Sequence, residues 1–177
     1  MNGSEAVLRL AGVEEDSIVD GPGLRMTVFT QGCPHHCEGC HNPQTWPIEG
    51  GEYQVEALIE RLSANPLCSG LTLSGGEPLQ QTAACAALAA GAKALGRSVW
   101  LYSGYTFEQM QVMMEHDAPL RALLAAVDVL VDGPFLLAER DLTLPYRGSR
   151  NQRLIDVPRS LQRGEVQLWE SPIRPPS

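Results

Sequence analysis

The hydrophobic positions of this chain fall into two alternating patterns. Short apolar runs rich in Val and Leu occur at 26–29 (MTVF), 71–73 (LTL), 99–102 (VWLY) and 127–131 (VDVLV). Such runs predict buried strands of a parallel sheet. Between them the spacing becomes helical. Val55, Leu58, Ile59 and Leu62 recur at i, i+3, i+4 and i+7, giving one apolar stripe on a helix that Pro66 stops from continuing. Ala84, Leu88, Ala92 and Leu95 predict a second helix, with Pro78 in its first turn, Gly96 at its end and alanines small enough to pack closely on a sheet. A third begins at Thr106, where Gln109 completes a capping-box pattern, and its apolar face carries Phe107, Met110 and Met114.

Strand, helix and strand in succession predict right-handed parallel crossovers, hence an α/β fold. Each predicted strand leads into a polar or glycine-rich stretch: the cysteine loop, SGGEP, SGY and DGPF. The carboxyl ends of parallel strands share one edge, where ligands bind, so four distant segments are expected to converge on one site. The 177 residues fall short of the roughly 250 of a closed eight-stranded barrel, so an open, partial β/α barrel of parallel strands is expected. A single domain over 1–170 and a disordered, proline-rich tail at 171–177 complete the expected organisation.

Composition narrows the class. The chain is 44% hydrophobic and 19% charged, enough to bury a core, and its formal net charge of -8 argues against a nucleic-acid surface. The first residues lack the pattern of a secretory signal and no apolar stretch is long enough for a bilayer, so a cytoplasmic protein without membrane association is expected. Five cysteines, an odd number, are then better read as ligands than as a disulfide framework. Cys68 and Cys85 stand apart and are expected to be small buried apolar residues.

The chemistry is concentrated in GCPHHCEGCHNPQTW, residues 32–46, where Cys33, Cys37 and Cys40 follow a C-x3-C-x2-C spacing. Two readings are open. Three thiolates can hold a 4Fe-4S cluster and leave one iron free for a substrate. Alternatively, they can join His35, His36 or His41 in a closed Cys3His zinc shell. In LTLSGGEPLQ, Gly75 and Gly76 permit close approach to backbone carbonyls and Glu77 offers a carboxylate, a combination suited to an ammonium group. An ordinary strand-to-helix turn would also use these residues.

Together these segments resemble the radical S-adenosylmethionine superfamily. The stretch DSIVDGPGLRMTVFTQGCPHHCEGCHNPQTW, residues 16–46, is similar to the N-terminal signature of its glycyl-radical-enzyme activases. VDVLVDGPF (127–135) and YRGSRNQRLIDV (146–157) are similar to the branch that serves anaerobic ribonucleoside-triphosphate reductase. The resemblance implies a radical SAM partial barrel, with a 4Fe-4S cluster on Cys33, Cys37 and Cys40 and S-adenosylmethionine chelated to the open iron. Gly75, Gly76 and Glu77 would then hold the cosubstrate's ammonium. It further implies reductive cleavage to a 5'-deoxyadenosyl radical that abstracts hydrogen from a glycine of the reductase, with the electron coming from a donor such as flavodoxin or ferredoxin. The rival readings are an activase of another glycyl radical enzyme, such as pyruvate formate-lyase, and a zinc-binding interaction module.

Many superfamily members carry an aromatic residue before the third cysteine, where this chain has Gly39, so groups around His41 and Asn42 become candidates for the adenine. The alternative for that stretch is a turn set by Asn42 and Pro43, with Trp46 in the core. Ser103 is a candidate polar contact to the cosubstrate. Asp132 either faces the cosubstrate or caps a helix. Arg147, Arg150 and Arg153 form a basic cluster, read either as a solvated, salt-bridged face or as a docking surface for the reductase.

Overall fold

The computed structural model describes residues 6–40, 42–47 and 50–171, and the expected tail lies outside these residues except for Ser171. Seven strands form one open sheet in the order β3-β1-β2-β4-β5-β6-β7. The four predicted runs are its centre: β2 (Arg25–Thr30), β4 (Gly70–Gly75), β5 (Ser98–Tyr102) and β6 (Val129–Asp132) lie side by side and parallel. Residue side chains alternate across this centre. Met26, Val28, Leu71, Leu73, Val99, Leu101 and Leu130 join the main core. Their neighbours Trp100, Val129 and Val131 form a smaller cluster with Tyr102, Tyr146, Leu154 and Trp169.

The expectation of parallel strands throughout is corrected at both edges. β1 (Val7–Ser17) pairs antiparallel with β2, β3 (Gly51–Gln54) antiparallel with β1, and β7 (Arg153–Asp156) antiparallel with β6. These strands hid from the apolar-run criterion because they are only half covered: β1 buries Leu8 and Leu10 but, past the stretch that β3 flanks, runs out through Glu14 and Glu15, and the edge strand β3 reads GEYQ.

α1 (Val55–Ala64) buries Val55, Leu58 and Leu62, as its stripe requires. The second predicted helix divides: Pro78–Gln81 is a 3-10 turn and α2 runs Thr82–Ala94, burying Leu88 and Ala92. α3 (Phe107–Met113) begins with the expected reciprocal capping box between Thr106 and Gln109. Two further short helices, α4 (Ala118–Ala126) and α5 (Val157–Arg163), carry Pro at their first turns and Asp117 and Asp156 as N-caps. Cys68 and Cys85 are buried, 4% and 0% exposed, in the main core.

The face of the sheet that carries Trp100 also holds a charge. Arg25 is fully buried, and its guanidinium donates to Thr72 Oγ1, Ser98 Oγ and the carbonyls of Pro22, Leu71 and Ser98. It lies 5.8 Å from the Trp100 ring centroid. With no carboxylate among these contacts, burial lowers its pKa to about 10. Through Pro22, and through the Thr72 hydroxyl that donates to the Asp20 carbonyl, it anchors the loop 18–24 that joins β1 to β2.

Candidate functional site: a cysteine loop over a glycine turn

The four carboxyl ends meet around a cleft of about 710 Å³. Its lining includes Cys33, Cys37, Cys40 and Asn42 after β2, Ser74, Gly75 and Gly76 at the end of β4, Ser103 and Gly104 after β5, and Gly133 and Phe135 after β6. A smaller cavity of about 340 Å³ opens near the other ends of β2 and β4, lined by Glu15, Asp16, Arg61 and Cys68 among others, and gathers no comparable chemistry.

The cysteine loop is closed at its base by Gly32 N–H to the Thr45 carbonyl (2.6 Å) and Cys33 N–H to the Trp46 carbonyl (3.1 Å). The 3-10 turn Pro43–Thr45 and its C-cap Trp46 supply these acceptors, so the expected turn after Asn42 does form. Trp46, however, is half-buried rather than in the core and stacks on His36 at 4.5 Å. All five cysteines are free. Burial pushes the Cys33 thiol up, against amide hydrogen bonds from His35 and His36 that favour the thiolate. The Asn42 N–H donates to Cys40 Sγ at 3.4 Å.

The glycines at the end of β4 serve the meeting of two loops. Gly75 has φ 104°, and a Cβ there would sit 2.2 Å from Thr30 N. A Cβ on Gly76 would lie 2.4 Å from the Gly32 carbonyl oxygen. Without side chains, Gly76 N–H reaches the Thr30 carbonyl (2.9 Å) and Glu77 N–H the Gly32 carbonyl (2.7 Å), which seats the cysteine loop directly on the turn.

Glu77 differs from its expected placement. Its carboxylate is 0% exposed and does not line the cleft. It accepts from Ser103 Oγ (2.9 and 3.0 Å), Gly104 N–H (2.8 Å) and Leu79 N–H (3.1 Å), and lies 2.6 Å from His35 Nε2. A buried carboxylate is stable only with such donors, and meeting them turns it inward. Ser103 lines the cleft while bonded to Glu77. Asp132 fits the helix-capping alternative: it is 1% exposed, lies outside the cleft lining, accepts from Phe107 N–H at 2.9 Å and pairs with Arg153. Capping α3 and neutralising an arginine satisfy it.

The basic cluster is likewise not one surface. Arg153 is bound to Glu108 and Asp132. Arg147 lines the cleft, its buried Nε without a partner among the described residues, and Arg150 is exposed. Neither Arg147 nor the loop carrying Ile18 and Val19 was anticipated as part of the cleft; only the fold brings them there.

The three cysteines fit an iron–sulfur cluster better than a zinc ion. Among the described residues no three His, Cys, Asp or Glu side chains gather closely enough for one metal ion. His35 is engaged by Glu77 and His36 by Trp46, while His41 lies outside the described residues. A cubane, whose irons take one thiolate each, suits three spaced cysteines facing one cleft, with amide donors at the Cys33 and Cys40 sulfurs.

Fold and site thus define an iron–sulfur protein with one cluster, and the family described as "4Fe-4S single cluster domain" matches residues 19–155. The chain is 35% identical over 144 residues to the anaerobic ribonucleoside-triphosphate reductase-activating protein of Vibrio cholerae, covering 76% of this chain and 89% of the relative. Proteins of the same name from Escherichia coli K12 and Enterobacteria phage T4 are 33% and 37% identical, over 76% and 77% of this chain and 90% and 86% of theirs. The chain belongs to this family of activating proteins, and with it to the enzymes that pair a 4Fe-4S cluster with S-adenosylmethionine.

Proposed function

We propose that this protein activates anaerobic ribonucleoside-triphosphate reductase by installing a glycyl radical in it. The observation that carries the reading is the seating of a three-cysteine loop on a glycine turn at one open cleft, in a chain whose relatives from Vibrio cholerae, Escherichia coli and phage T4 bear that activating name. The open sheet, with its parallel centre and two differently lined faces, is read as the partial barrel of radical SAM enzymes.

When bound, the cluster on Cys33, Cys37 and Cys40 supplies the electron that splits S-adenosylmethionine into methionine and the 5'-deoxyadenosyl radical that takes hydrogen from the reductase's glycine. The protein's own residues hold and orient. Carbonyls at Ser74, Gly75 and Gly76 take the cosubstrate's ammonium, with the buried Glu77 carboxylate behind them. Arg147, the one Lys or Arg lining the cleft among the described residues, is the cation available to its carboxylate. Asn42 and Phe135 line the cleft near Cys40 and Gly39 and are the candidates for the adenine. At the mouth, Ile18, Val19 and Leu142 are 72%, 70% and 72% exposed, an apolar rim that suits an entering polypeptide segment. The electron donor is a small redox protein such as flavodoxin or ferredoxin. Among the described residues no helix is long and apolar enough to cross a membrane.

The test is to mix the reduced, iron-loaded protein anaerobically with S-adenosylmethionine and the reductase, and in parallel with pyruvate formate-lyase. A glycyl radical signal in the reductase, with 5'-deoxyadenosine released, is expected. A signal only in the other enzyme, or zinc without iron and sulfide in the anaerobically purified protein, removes the reading.

A further inference from the structure

His35 lies between Cys33 and Cys37 in sequence and lines the cleft with them, and its side chain reaches across to the glycine turn. Its Nε2 lies 2.6 Å from Glu77 Oε1, and its ring meets Tyr105 edge-on at 4.8 Å, with planes 73° apart. Gly104 closes the other side: a Cβ there would fall 2.5 Å from His35 Cδ2. The ring is therefore clamped by three neighbours, all from other segments of the cleft.

Glu77 is the hub of this arrangement. Its four donors come from its own 3-10 turn (Leu79), from the end of β5 (Ser103 and Gly104) and from the cysteine loop (His35). The backbone bonds to Thr30 and Gly32 fix only the residues before Cys33, and those to Thr45 and Trp46 fix the base. Between Cys33 and Cys37, the contact from His35 is what joins the loop to the glycine turn.

We propose that His35 is a positioning residue, whose hydrogen bond to Glu77 sets the cysteine loop, and hence the cluster, in register with the turn that receives the cosubstrate. This rests on the functional reading above and extends it to a cleft residue that is not among the proposed ligands of cluster or cosubstrate. The physical reason is that the reacting sulfonium must meet the cluster in one geometry, and an error of about 1 Å can cost about 100-fold in rate. Thiolates on one loop and an ammonium cradle on another need a rigid link, and a buried, four-donor carboxylate provides one.

The experiment compares wild type, His35→Ala, His35→Gln and Gly104→Ala after anaerobic cluster loading. It reads iron and sulfide content, equilibrium affinity for S-adenosylmethionine with the cluster oxidised, and the change that S-adenosylmethionine makes in the electron paramagnetic resonance spectrum of the reduced cluster. His35→Ala is expected to load iron, since all three cysteines remain, but to bind S-adenosylmethionine about tenfold or more weakly with a diminished spectral change. His35→Gln keeps an N–H within reach of Glu77 and should restore most of both. Gly104→Ala displaces the ring without removing any donor and should copy His35→Ala.

Wild-type affinity and spectral response in both His35→Ala and Gly104→Ala would overturn the proposal while leaving the functional reading intact. Should His35→Ala fail to fold, the other two variants decide: weak binding in Gly104→Ala with recovery in His35→Gln supports the link, and wild-type binding in Gly104→Ala removes it. A wild-type protein that binds no S-adenosylmethionine ends the functional reading and this inference together.

Discussion

Two glycines with left-handed backbone show how neighbours decide what a residue is for. Gly96, at φ 74°, ends α2 in open space, and a Cβ there would meet nothing within 4 Å. Gly75, at φ 104°, lies against Thr30. Replacing each with alanine should cost about 1 kcal/mol at Gly96, where backbone strain alone acts, and about 3 kcal/mol or more at Gly75, where strain and overlap combine. Chemical denaturation of the two variants measures the difference. The Cys33 thiol gives a second prediction at this scale. Burial holds its folded-state value above that of an ordinary thiol, so near neutral pH the metal-free site carries a proton that cluster binding must expel. Cluster assembly should therefore speed up as pH rises from neutrality towards the thiol's own titration, as followed by the growth of iron–sulfur absorbance. A rate independent of pH would contradict this.

Elements were legible in proportion to their burial. The four central strands and α1 announce themselves because both faces, or one full stripe, are apolar, whereas β3 and β7 are the edges of the sheet and β1, beside β3, is largely exposed beyond Leu10. The loops after the strands were legible as ligand-bearing because parallel topology forces their ends together. What single residues do within them was less so: Glu77 and Asp132 both looked like carboxylates for a ligand, and both are satisfied by protein donors from distant segments. Asp132 shows the energetic consequence. With its carboxylate 1% exposed and Arg153 its partner across the β6–β7 pair, Arg153→Leu strands a buried charge and should destabilise the protein by about 3 kcal/mol. Asp132→Asn in the same background should recover part of that loss. A stability unchanged by Arg153→Leu would mean that the pair contributes little.

At the scale of the whole molecule, the cleft combines a polar floor with an apolar rim, and an acidic chain of net charge -8 surrounds it. The arginines that looked like a docking patch are divided between an ion pair, the cleft and the surface. Partner recognition is thus expected to depend on the rim. Val19→Ser combined with Leu142→Ser should weaken binding to the reductase about tenfold, the loss of two buried aliphatic contacts, whereas Arg150→Ala should change it little. Titration of the reductase against each variant distinguishes them; equal affinity for all would place recognition elsewhere.

The sequence by itself determined the cluster chemistry and the four buried parallel strands of the centre. Cysteine spacing, glycine runs and apolar periodicity act over a few residues, so they can be read in one dimension. Only the tertiary structure decided which protein donors meet Glu77 and Asp132, that His35 contacts Glu77, and that Ile18, Val19, Leu142 and Arg147 share the cleft with the cysteines. Those outcomes depend on which donors arrive from segments tens of residues away, because a buried polar group takes whichever partner the packing delivers.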